Sequence, residues 1–457
     1  MEISGLPGFR DFYPEELALR NHILGAWREV AERYGFQEYD GPPLEPLELY
    51  TRKSGPEIVE QLYRFTDRGG REVALRPEMT PTFARMIAAR AAGLPKPVRW
   101  YSMPQLFRYE RPQRGRLREH FQLNLDIVGE ENPLADAEVV AAALDVTFAL
   151  GLGAGDVVAR VSDRRLAGAV LTGLGVPEAK LPEAFAALDR AEREGERKAR
   201  ARLEAAGLPG SAAGEVLALA GLGLEEVLKR HGASAQAAEA GERLTRFFGH
   251  MGDLGLSDAV RFDAGLVRGL AYYTGLVFEV WERRGELRAI CGGGRYDDLL
   301  GVLGGVDLPA VGFGMGDVVL GELLKERGLG PEPAAAVEDF VVCVSEAERP
   351  LALRVVRELR ARGRRVTFDY RGRSVGRQFR AADRAGASRV VVVGPDEAAR
   401  EAVRLRWLET GEEEEVSIGE LLSAPRGGST PASGPDTDRT RVSGKEGGRE
   451  EKRRGEG

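Results

Sequence analysis

The sequence predicts an α+β fold in which an antiparallel sheet framed by helices forms the core, a helical insertion interrupts it, and a small α/β domain follows. Strand-like segments concentrate at 60–129 and return at 258–291. Between them the chain is rich in Ala, Leu, Glu and Arg with helical periodicity, and beyond residue 336 strand patterns alternate with helical ones. The expected segments are core 1–152, helical insertion 153–254, core 255–330, C-terminal domain 336–423 and disordered tail 424–457.

The first core segment begins with a helix and continues with strands. Apolar residues recur near helical spacing over 15–35, which predicts an amphipathic helix. Two strand-like pieces, QLYRFTD and REVALRPE, flank Gly69 and Gly70 and predict a hairpin. Residues 97–129 alternate apolar and charged side chains, so we expect strands there as well.

The later segments carry both kinds of signal. Strands are expected at 258–282 and 287–291, followed by helices at 296–303 and 316–327. A Pro/Ala stretch, GPEPAAAVED, predicts a linker before the strands DFVVCVS, RRVTFDY, SRVVVVG and VRLRWLE. After residue 423 almost nothing is apolar, and such a segment cannot bury enough surface to offset its ordering entropy. The tail is therefore predicted to be disordered.

Composition excludes several classes of protein. The 457 residues, 43% hydrophobic and 30% charged, are ordinary for a globular protein of about two to four domains. A formal net charge of −7 argues against non-specific coating of nucleic acid, although local basic patches can still bind RNA. Cys291 and Cys343 provide neither a disulfide framework nor metal-ligand spacing. With no signal-peptide pattern and no apolar run long enough for a membrane span, we expect a reducing, cytosolic setting.

The densest chemical signal is the segment LFRYERPQRGRLREHFQLNLDIVG. On a strand alternate residues share a face, so Arg108 and Glu110 should point the same way. After a turn, the returning strand should place Gln122, Asn124 and Asp126 on one face. Guanidinium groups suit polyphosphate, whereas carboxylates and amides suit an amine or a ring nitrogen. A solvated, charged hairpin is the alternative, and the pattern alone does not exclude it.

Two glycine-rich segments could lie against a ligand. In DAGLVRGLAYYTGLVFE an arginine stands between glycines and precedes two tyrosines, and glycines allow close backbone approach. The alternative is a bend with core aromatic residues. In ICGGGRYDDLLG three glycines precede a helix and could cradle an anion through free N–H groups, although a plain strand–helix turn has the same pattern.

A fourth segment, ALRPEMTPT, offers a carboxylate acceptor in Glu78 and a hydroxyl group in Thr80. The alternative is that Thr80 only caps the helix that follows. The four histidines show no metal-ligand spacing, and only His120, in the arginine-rich segment, is a candidate for function. Neither a resident metal site nor a Ser-His-Asp or Cys-His arrangement is predicted.

Taken in order, these segments resemble the histidyl-tRNA synthetases over roughly residues 5–421. GFRDFYPEE, FRYERPQRGR, LVRGLAYYTGLVFE, CGGGRYDDLLGVLGG and the small C-terminal domain carry the resemblance. It implies a class II aminoacyl-tRNA synthetase core, with Pro42 in a motif that lies at the homodimer interface of that family. It also implies an anticodon-binding C-terminal domain. The expected activity is that of a cytoplasmic ligase that activates L-histidine with ATP, which carries Mg²⁺, and loads it onto tRNA(His).

The resemblance implies roles for residues around ATP. Arg108 matches the arginine that grips the α-phosphate and the histidine carboxylate. Arg268 matches the family's catalytic arginine, which stabilises charge on the reacting phosphate. Glu110 matches the contact to the adenine amino group, and Arg116 matches a further ATP contact. His120 stands where an aromatic ring is expected to stack on adenine.

The resemblance also implies how histidine and tRNA are held. The substrate amine is held by carboxylate, hydroxyl and amide groups, and the imidazole by a carboxylate and a tyrosine. The expected histidine-binding residues are Glu78, Thr80 and Gln122 for the amine, Asp126, Tyr272 and Tyr273 for the imidazole, and additionally Met79, Arg108 and Arg268. Arg111 and Gln113 match the loop that meets the tRNA acceptor end.

The chain departs from the usual pattern of the family at a few positions. Val319 stands where an arginine over the adenine is usual, which leaves ATP binding short of one cation. Ala271 replaces the usual acidic residue of LVRGLDYY. Asp126 is shorter than the glutamate common in bacteria, but a carboxylate of either length can accept an imidazole N–H.

Two alternatives from other classes remain. One is a non-catalytic paralogue that acts as the regulatory subunit of ATP phosphoribosyltransferase in histidine biosynthesis. Such proteins usually lack the C-terminal domain and parts of LVRGLxYYT, and both are present here. The other is an RNA-binding or kinase-regulatory module with a degenerate core, against which the retained Arg108, Glu110 and Arg268 argue.

Overall fold

The structure is a computed structural model, and it forms two compact units, Met1–Pro333 and Ala334–Gly457. None of the helices in the described part of the chain is long and apolar enough to cross a membrane. The predicted tail and the middle of the predicted linker lie outside the described residues. The described residues are 4–52, 60–268, 272–284, 287–331 and 337–423.

The first unit contains both strands and helices. Its strands are β1 (Gln37–Glu38), β2 (Leu44–Pro46), β3 (Arg64–Thr66), β4 (Glu72–Leu75), β5 (Val98–Ser102), β6 (Gln105–Phe107), β7 (Glu119–Val128), β8 (Val157–Asp163), β9 (Val260–Phe262), β10 (Leu276–Glu282), β11 (Cys291–Arg295) and β12 (Ala310–Gly316). Its α-helices are Pro14–Arg33, Leu47–Thr51, Thr80–Arg90, Pro133–Ala149, Arg164–Gly173, Leu181–Glu194, Glu196–Ala205, Gly210–Ala218, Leu224–His231, Ala235–Asp253, Leu299–Gly304 and Asp317–Arg327.

Most of these strands form one large sheet. Its strand order is β1-β5-β7-β12-β11-β10-β8-β9, with β6 paired to β7. Pairing is antiparallel except at the outer pairs, where β1 lies parallel to β5 and β9 lies parallel to β8. The predicted antiparallel core is therefore confirmed, and it joins strands that are distant along the chain, such as β7 and β12.

A separate three-stranded sheet, β2-β4-β3, contains the predicted hairpin. β3 and β4 are antiparallel, and the turn between them has Gly70 at φ +79°, a conformation that glycine adopts without a Cβ clash. The Asp67 carboxylate closes the turn by accepting the backbone N–H groups of Gly69 and Arg71 at 2.8 and 2.9 Å. The chain continues from β4 into the segment that contains Glu78.

Helices cover the large sheet. Pro14–Arg33 confirms the helix predicted over 15–35. Pro133–Ala149 is buried on nearly all sides because alanine and valine dominate it. It begins where the Asn132 side chain accepts the Leu134 N–H at 3.0 Å. Both helices share one hydrophobic cluster with β7, β8, β10 and β12, which makes the sheet a rigid support for the residues above it.

The region predicted as a helical insertion is mostly helical but contains one strand. β8 lies inside it and pairs with β10 in the large sheet, so the prediction missed this strand. Helices Leu181–Glu194, Glu196–Ala205 and Gly210–Ala218 pack in a separate hydrophobic cluster, which also includes Leu171 and Val267. Helix Ala235–Asp253 instead packs in the cluster of the large sheet. The boundaries of the insertion stay a prediction.

The second unit is a smaller sheet with helices. Its strands are β13 (Asp339–Cys343), β14 (Val366–Phe368), β15 (Arg389–Val393), β16 (Ala402–Trp407) and β17 (Glu413–Ser417), and its α-helices are Arg349–Ala361, Val375–Arg384, Pro395–Ala399 and Ile418–Ser423. The strand order is β14-β13-β15-β16-β17, with β13 parallel to both of its neighbours. The predicted small α/β domain is confirmed.

Strand β17 was not predicted, because its residues are mostly glutamate and show no apolar alternation. It lies at the edge of the sheet, antiparallel to β16. Glu413 stands opposite Arg406, and their carboxylate and guanidinium groups are 3.1 Å apart. A cross-strand pair of opposite charges contributes roughly 0.2–1 kcal/mol. Charge pairing therefore takes the place of an apolar pattern in this strand.

Candidate active site

A cavity of about 880 Å³ lies above the large sheet of the first unit. β7, β11 and β12 contribute to its wall, together with the segments around Glu78 and Arg268. The structure brings eleven of the predicted site residues to this one cavity. They are Glu78, Thr80, Arg108, Glu110, Arg116, His120, Gln122, Asp126, Arg268, Tyr272 and Tyr273.

Three predicted site residues do not line the cavity. Met79 is fully buried behind the wall, and its sulfur lies 4.0 Å from Nη1 of Arg76, so its side chain cannot contact a ligand there. Arg111 and Gln113 are exposed on the loop between β6 and β7. That position is compatible with contact to a large external partner, and their tRNA role stays a prediction.

The loop between β6 and β7 differs in one respect from the prediction. β6 ends at Phe107, so the expectation that Arg108 and Glu110 share a strand face is wrong. The chain turns instead, and the Glu110 N–H donates to the Arg108 carbonyl at 2.8 Å. The predicted turn nearby is confirmed, because Gln113 and Arg116 form a backbone bridge across Gly115, which has φ +72°.

The same loop is tied to helix Asp317–Arg327. Arg114 pairs with Glu322 at 3.2 Å and also with Glu326. The Gly115 N–H donates to Oε1 of Glu322 at 3.1 Å. Val319, on the same helix, lines the cavity beside this loop. These exposed charge pairs therefore hold the loop in place at one end of the cavity.

Arg108 and Arg268 supply two of the positive charges on the cavity wall. Nε of Arg108 donates to the Pro77 carbonyl at 2.9 Å, which fixes the guanidinium near Glu78. Nη1 of Arg268 lies 3.4 Å from Oε1 of Glu279. Burial acts to lower the pKa of Arg268, but the nearby Tyr273 and Glu279 outweigh it, and the pKa is raised overall. Arg268 therefore stays charged.

Arg268 has a backbone conformation that is rare for a residue with a side chain. Its φ is +52°. Such a conformation costs about 1–3 kcal/mol and persists only where neighbouring groups impose it. Arg164 does so by donating from Nη1 to the carbonyl groups of Arg268 and Val267, at 3.1 and 3.4 Å. The Ala271 departure lies outside the described residues.

The part of the cavity next to the loop between β6 and β7 offers groups suited to a flat, amine-bearing ring. Glu110 is buried and forms an ion pair with Arg116. Burial, followed by the positive charges of Arg108, Arg10 and Arg116, lowers the pKa of His120 to about 3. His120 is therefore a neutral, planar ring at physiological pH, which can stack on another ring.

A second subsite is built from tyrosines and carboxylates. The Tyr272 hydroxyl donates to Oε2 of Glu78 at 3.1 Å, and the Tyr296 hydroxyl donates to Oδ1 of Asp126 at 2.5 Å. Burial raises the pKa of Asp126 to about 7, although the Tyr296 hydrogen bond acts to lower it. Tyr296, which stands two positions after the last glycine in GGGRYDD, was not predicted as a site residue.

Thr80 is placed on the cavity wall but not as a helix cap. Helix Thr80–Arg90 begins at Thr80 itself, the cap position is Met79, and no side chain caps it by a hydrogen bond. The alternative in which Thr80 serves only as a cap is therefore wrong. Thr80 lines the cavity together with Glu78 and Tyr272.

The glycines of ICGGGRYDD do not cradle an anion, so that expectation is wrong. They form β11, whose backbone N–H groups lie in the ladder with β10 and β12. Their function is to leave space: a Cβ on Gly292 would lie 1.3 Å from Nη1 of Arg268. On β12, a Cβ on Gly312 would lie 1.9 Å from Oδ1 of Asp126, and one on Gly314 would lie 2.1 Å from Nε2 of Gln122.

Gly312 and Gly314 were not predicted to shape the site. The signal is the alternation of glycines in AVGFGMG, which places them on one face of a strand. On that face each lies under a functional side chain of β7, since β7 and β12 are neighbours in register. Three glycines on two central strands thus determine where Arg268, Asp126 and Gln122 can lie.

Comparisons with known proteins extend over both units. The family model described as histidyl-tRNA synthetase matches residues 8–316, and the anticodon binding domain model matches residues 339–425. A histidine–tRNA ligase from Opitutus terrae is 46% identical over 418 residues, which are 90% of this chain and 95% of that protein. One from Thermoplasma volcanium is 39% identical over 423 residues, which are 92% of this chain and 98% of that protein.

A solved structure shows the same architecture. The crystal structure of histidyl-tRNA synthetase from Nostoc sp. PCC 7120 has a TM-score of 0.78 and 28% sequence identity, and the match covers 93% of this chain and 98% of that chain. The predicted α+β fold is confirmed by this match, and the similarities include the C-terminal domain. The chain therefore belongs to the histidyl-tRNA synthetase family.

Proposed function

We propose that this protein activates L-histidine with ATP to histidyl-adenylate and then transfers the histidyl group to tRNA(His). One observation carries the proposal. Arg108 and Arg268, which come from distant parts of the sequence, face one cavity whose wall also contains the buried carboxylate of Asp126. Two cations for a phosphate and an acceptor for a ring nitrogen are the groups that this reaction requires.

Adenylate formation needs positioning and charge stabilisation more than covalent help. The histidine carboxylate attacks the α-phosphorus of ATP, and pyrophosphate leaves. Arg108 and Arg268 donate hydrogen bonds to the α-phosphate, whose oxygens gain charge as the bond forms. Glu110 accepts from the adenine amino group, and the neutral ring of His120 stacks on the base.

Recognition of histidine rests on the subsite of tyrosines and carboxylates. Asp126 accepts an N–H of the imidazole, and Tyr273 lies beside it with Tyr272. Glu78, Thr80 and Gln122 hold the amine. A site with buried polar groups rejects amino acids that leave those groups unpaired, because the desolvated acceptor then has no donor.

Mg²⁺ enters this site with the nucleotide. Oxygen ligands suit it, and Glu279 presents a carboxylate on the cavity wall. Oε2 of Glu279 accepts the Trp281 indole N–H at 3.0 Å, so the carboxylate is held in place beside Arg268. When bound, the ion neutralises charge on phosphate oxygens.

The family resemblance supports three further parts of the proposal. The protein acts in the cytoplasm, it forms a homodimer, and its second unit binds the tRNA anticodon. Arg111 and Gln113, exposed on the loop between β6 and β7, contact the acceptor end. Sedimentation of the full chain would test the dimer directly.

ATP–pyrophosphate exchange measured with each of the twenty amino acids tests the proposed function. We expect exchange with L-histidine alone, and histidine-dependent charging when tRNA(His) is added. A regulatory subunit of ATP phosphoribosyltransferase or a degenerate RNA-binding module would show no exchange with any amino acid. That result would overturn the proposal.

Replacing Gly292 by alanine tests whether the glycines determine the position of Arg268. Because the new Cβ would lie 1.3 Å from Nη1 of Arg268, the guanidinium must move, and we expect the exchange rate to fall roughly 10²-fold. Gly301→Ala is the control, since its Cβ would meet nothing closer than 3.9 Å. Thermal unfolding verifies that both variants fold, and an unchanged rate in Gly292→Ala would contradict the prediction.

A further inference from the structure

Arg288 lies on the cavity wall just before β11. A Cβ on Gly115 would lie 3.7 Å from Cδ of Arg288 and 3.3 Å from Cγ2 of Val319. The Arg288 side chain and Val319 therefore flank the same glycine of the loop between β6 and β7. Arg116, the next residue of that loop, lines the cavity there as well.

Arg288 differs from most of the other arginines on the cavity wall, because those have a carboxylate partner. Three of them have carboxylate partners within the protein: Arg116–Glu110, Arg160–Asp263 at 2.6 Å and Arg268–Glu279 at 3.4 Å. Among the described residues, Arg108 and Arg288 have no carboxylate within 4.0 Å. Within the part of the chain that the structure describes, these two guanidinium groups are therefore the cations of the wall that no carboxylate pairs with.

We infer that Arg288 binds the two outer phosphates of ATP, which leave together as pyrophosphate. The inference rests on the proposed function, which assigns Arg108 and Arg268 to the α-phosphate. A guanidinium without a carboxylate partner donates a planar fork of N–H groups, which fits two phosphate oxygens at once. Arg288 thus supplies positive charge at a part of the wall where the apolar Val319 offers none.

The position of Arg288 also explains how it can act without distorting the site. It is exposed, so its charge needs no buried partner before ATP arrives. The neighbouring Leu287 and Ile290 are buried in the hydrophobic cluster of the large sheet and fix the backbone on either side. The side chain is therefore free to reorient over a well-anchored backbone.

Titration calorimetry of the full chain with ATP and with AMP tests the inference. AMP retains adenosine and the α-phosphate but lacks the outer phosphates. We expect Arg288→Ala to raise the Kd for ATP roughly tenfold or more, the usual effect of losing a charge-assisted hydrogen bond. The Kd for AMP should not change. In the exchange assay the KM for ATP should rise and the KM for histidine should not.

Arg284→Ala is the matched control, because Arg284 is an exposed arginine in the same connection that does not line the cavity. It should leave both affinities unchanged. Equal weakening of ATP and AMP by Arg288→Ala, an unchanged Kd for ATP, or an equal effect of Arg284→Ala would each overturn the inference. If the wild-type protein binds ATP but shows no histidine-dependent exchange, the proposed function fails, whereas the calorimetric result still decides the role of Arg288.

Discussion

We expect Arg268→Ala to abolish most histidine-dependent pyrophosphate exchange, with kcat falling roughly 10²–10³-fold, which corresponds to about 2.7–4 kcal/mol of transition-state stabilisation. The side chain faces the cavity beside Tyr273 and Glu279, and its charge is retained on burial. Its removal leaves Arg108 to neutralise the reacting phosphate alone. The measurement is exchange with saturating histidine and ATP, so that the loss is assigned to kcat.

Loss of fold must be separated from loss of chemistry in this variant. Arg261→Ala is the control, because Arg261 is an exposed arginine on β9, a few positions earlier in the chain. Both variants should keep the wild-type far-UV spectrum and a cooperative thermal transition. Arg268→Lys retains the charge without the planar fork and should recover only part of the rate. Near-normal exchange by Arg268→Ala would refute the catalytic role.

Asp126→Asn has the second large effect, on histidine affinity. Tyr296 donates to Oδ1 of Asp126, so the amide carbonyl of an asparagine would take that bond and turn its NH₂ group toward the ligand. A donor would then face the imidazole N–H, and we expect the KM for histidine to rise roughly 10²-fold. The KM for ATP is the internal control and should stay near the wild-type value. Unchanged affinity for histidine would exclude Asp126 as the imidazole acceptor.

The same substitution should make the protein more stable at high pH. Burial raises the pKa of Asp126 to about 7 in the folded chain, whereas it is about 3.9 in an unfolded one. The protonated form is therefore favoured by folding, and the associated stability, complete below about pH 4, is lost as the pH rises through about 7. Asp126→Asn has no such loss. Urea unfolding should show its advantage over the wild type growing between about pH 4 and 7, and a pH-independent difference would contradict this assignment.

The helices and most strands of this fold follow from local patterns, and the exceptions have physical causes. Helix Pro14–Arg33 and the hairpin of β3 and β4 were predicted because periodicity and turn glycines are local properties. β8 was missed because its flanking sequence is rich in alanine and arginine, as helices are. β17 was missed because its partner strand, rather than its own composition, provides the charges that stabilise it.

In the candidate site, too, the sequence predicts features that depend on a short motif, but not contacts between residues that are far apart in the chain. Motif resemblance identified Arg108 and Arg268, but no local pattern shows that Gly312 lies under Asp126, because these positions are far apart in the chain. For a related reason the glycines before Arg295 left two alternatives open in the sequence, an anion cradle and a plain strand–helix turn. A run of glycines is compatible with a turn and with a crowded strand, and only the neighbouring strands decide between them.

The matched glycines also restrict how this enzyme family member can evolve. Gly292, Gly312 and Gly314 each lie against one polar side chain, so any single mutation that adds a methyl group there collides with its counterpart. A change of amino-acid specificity at these positions consequently requires two replacements at once, one of the glycine and one of the side chain that lies against it. We therefore expect natural variation to accumulate at exposed positions outside the site rather than at these three glycines.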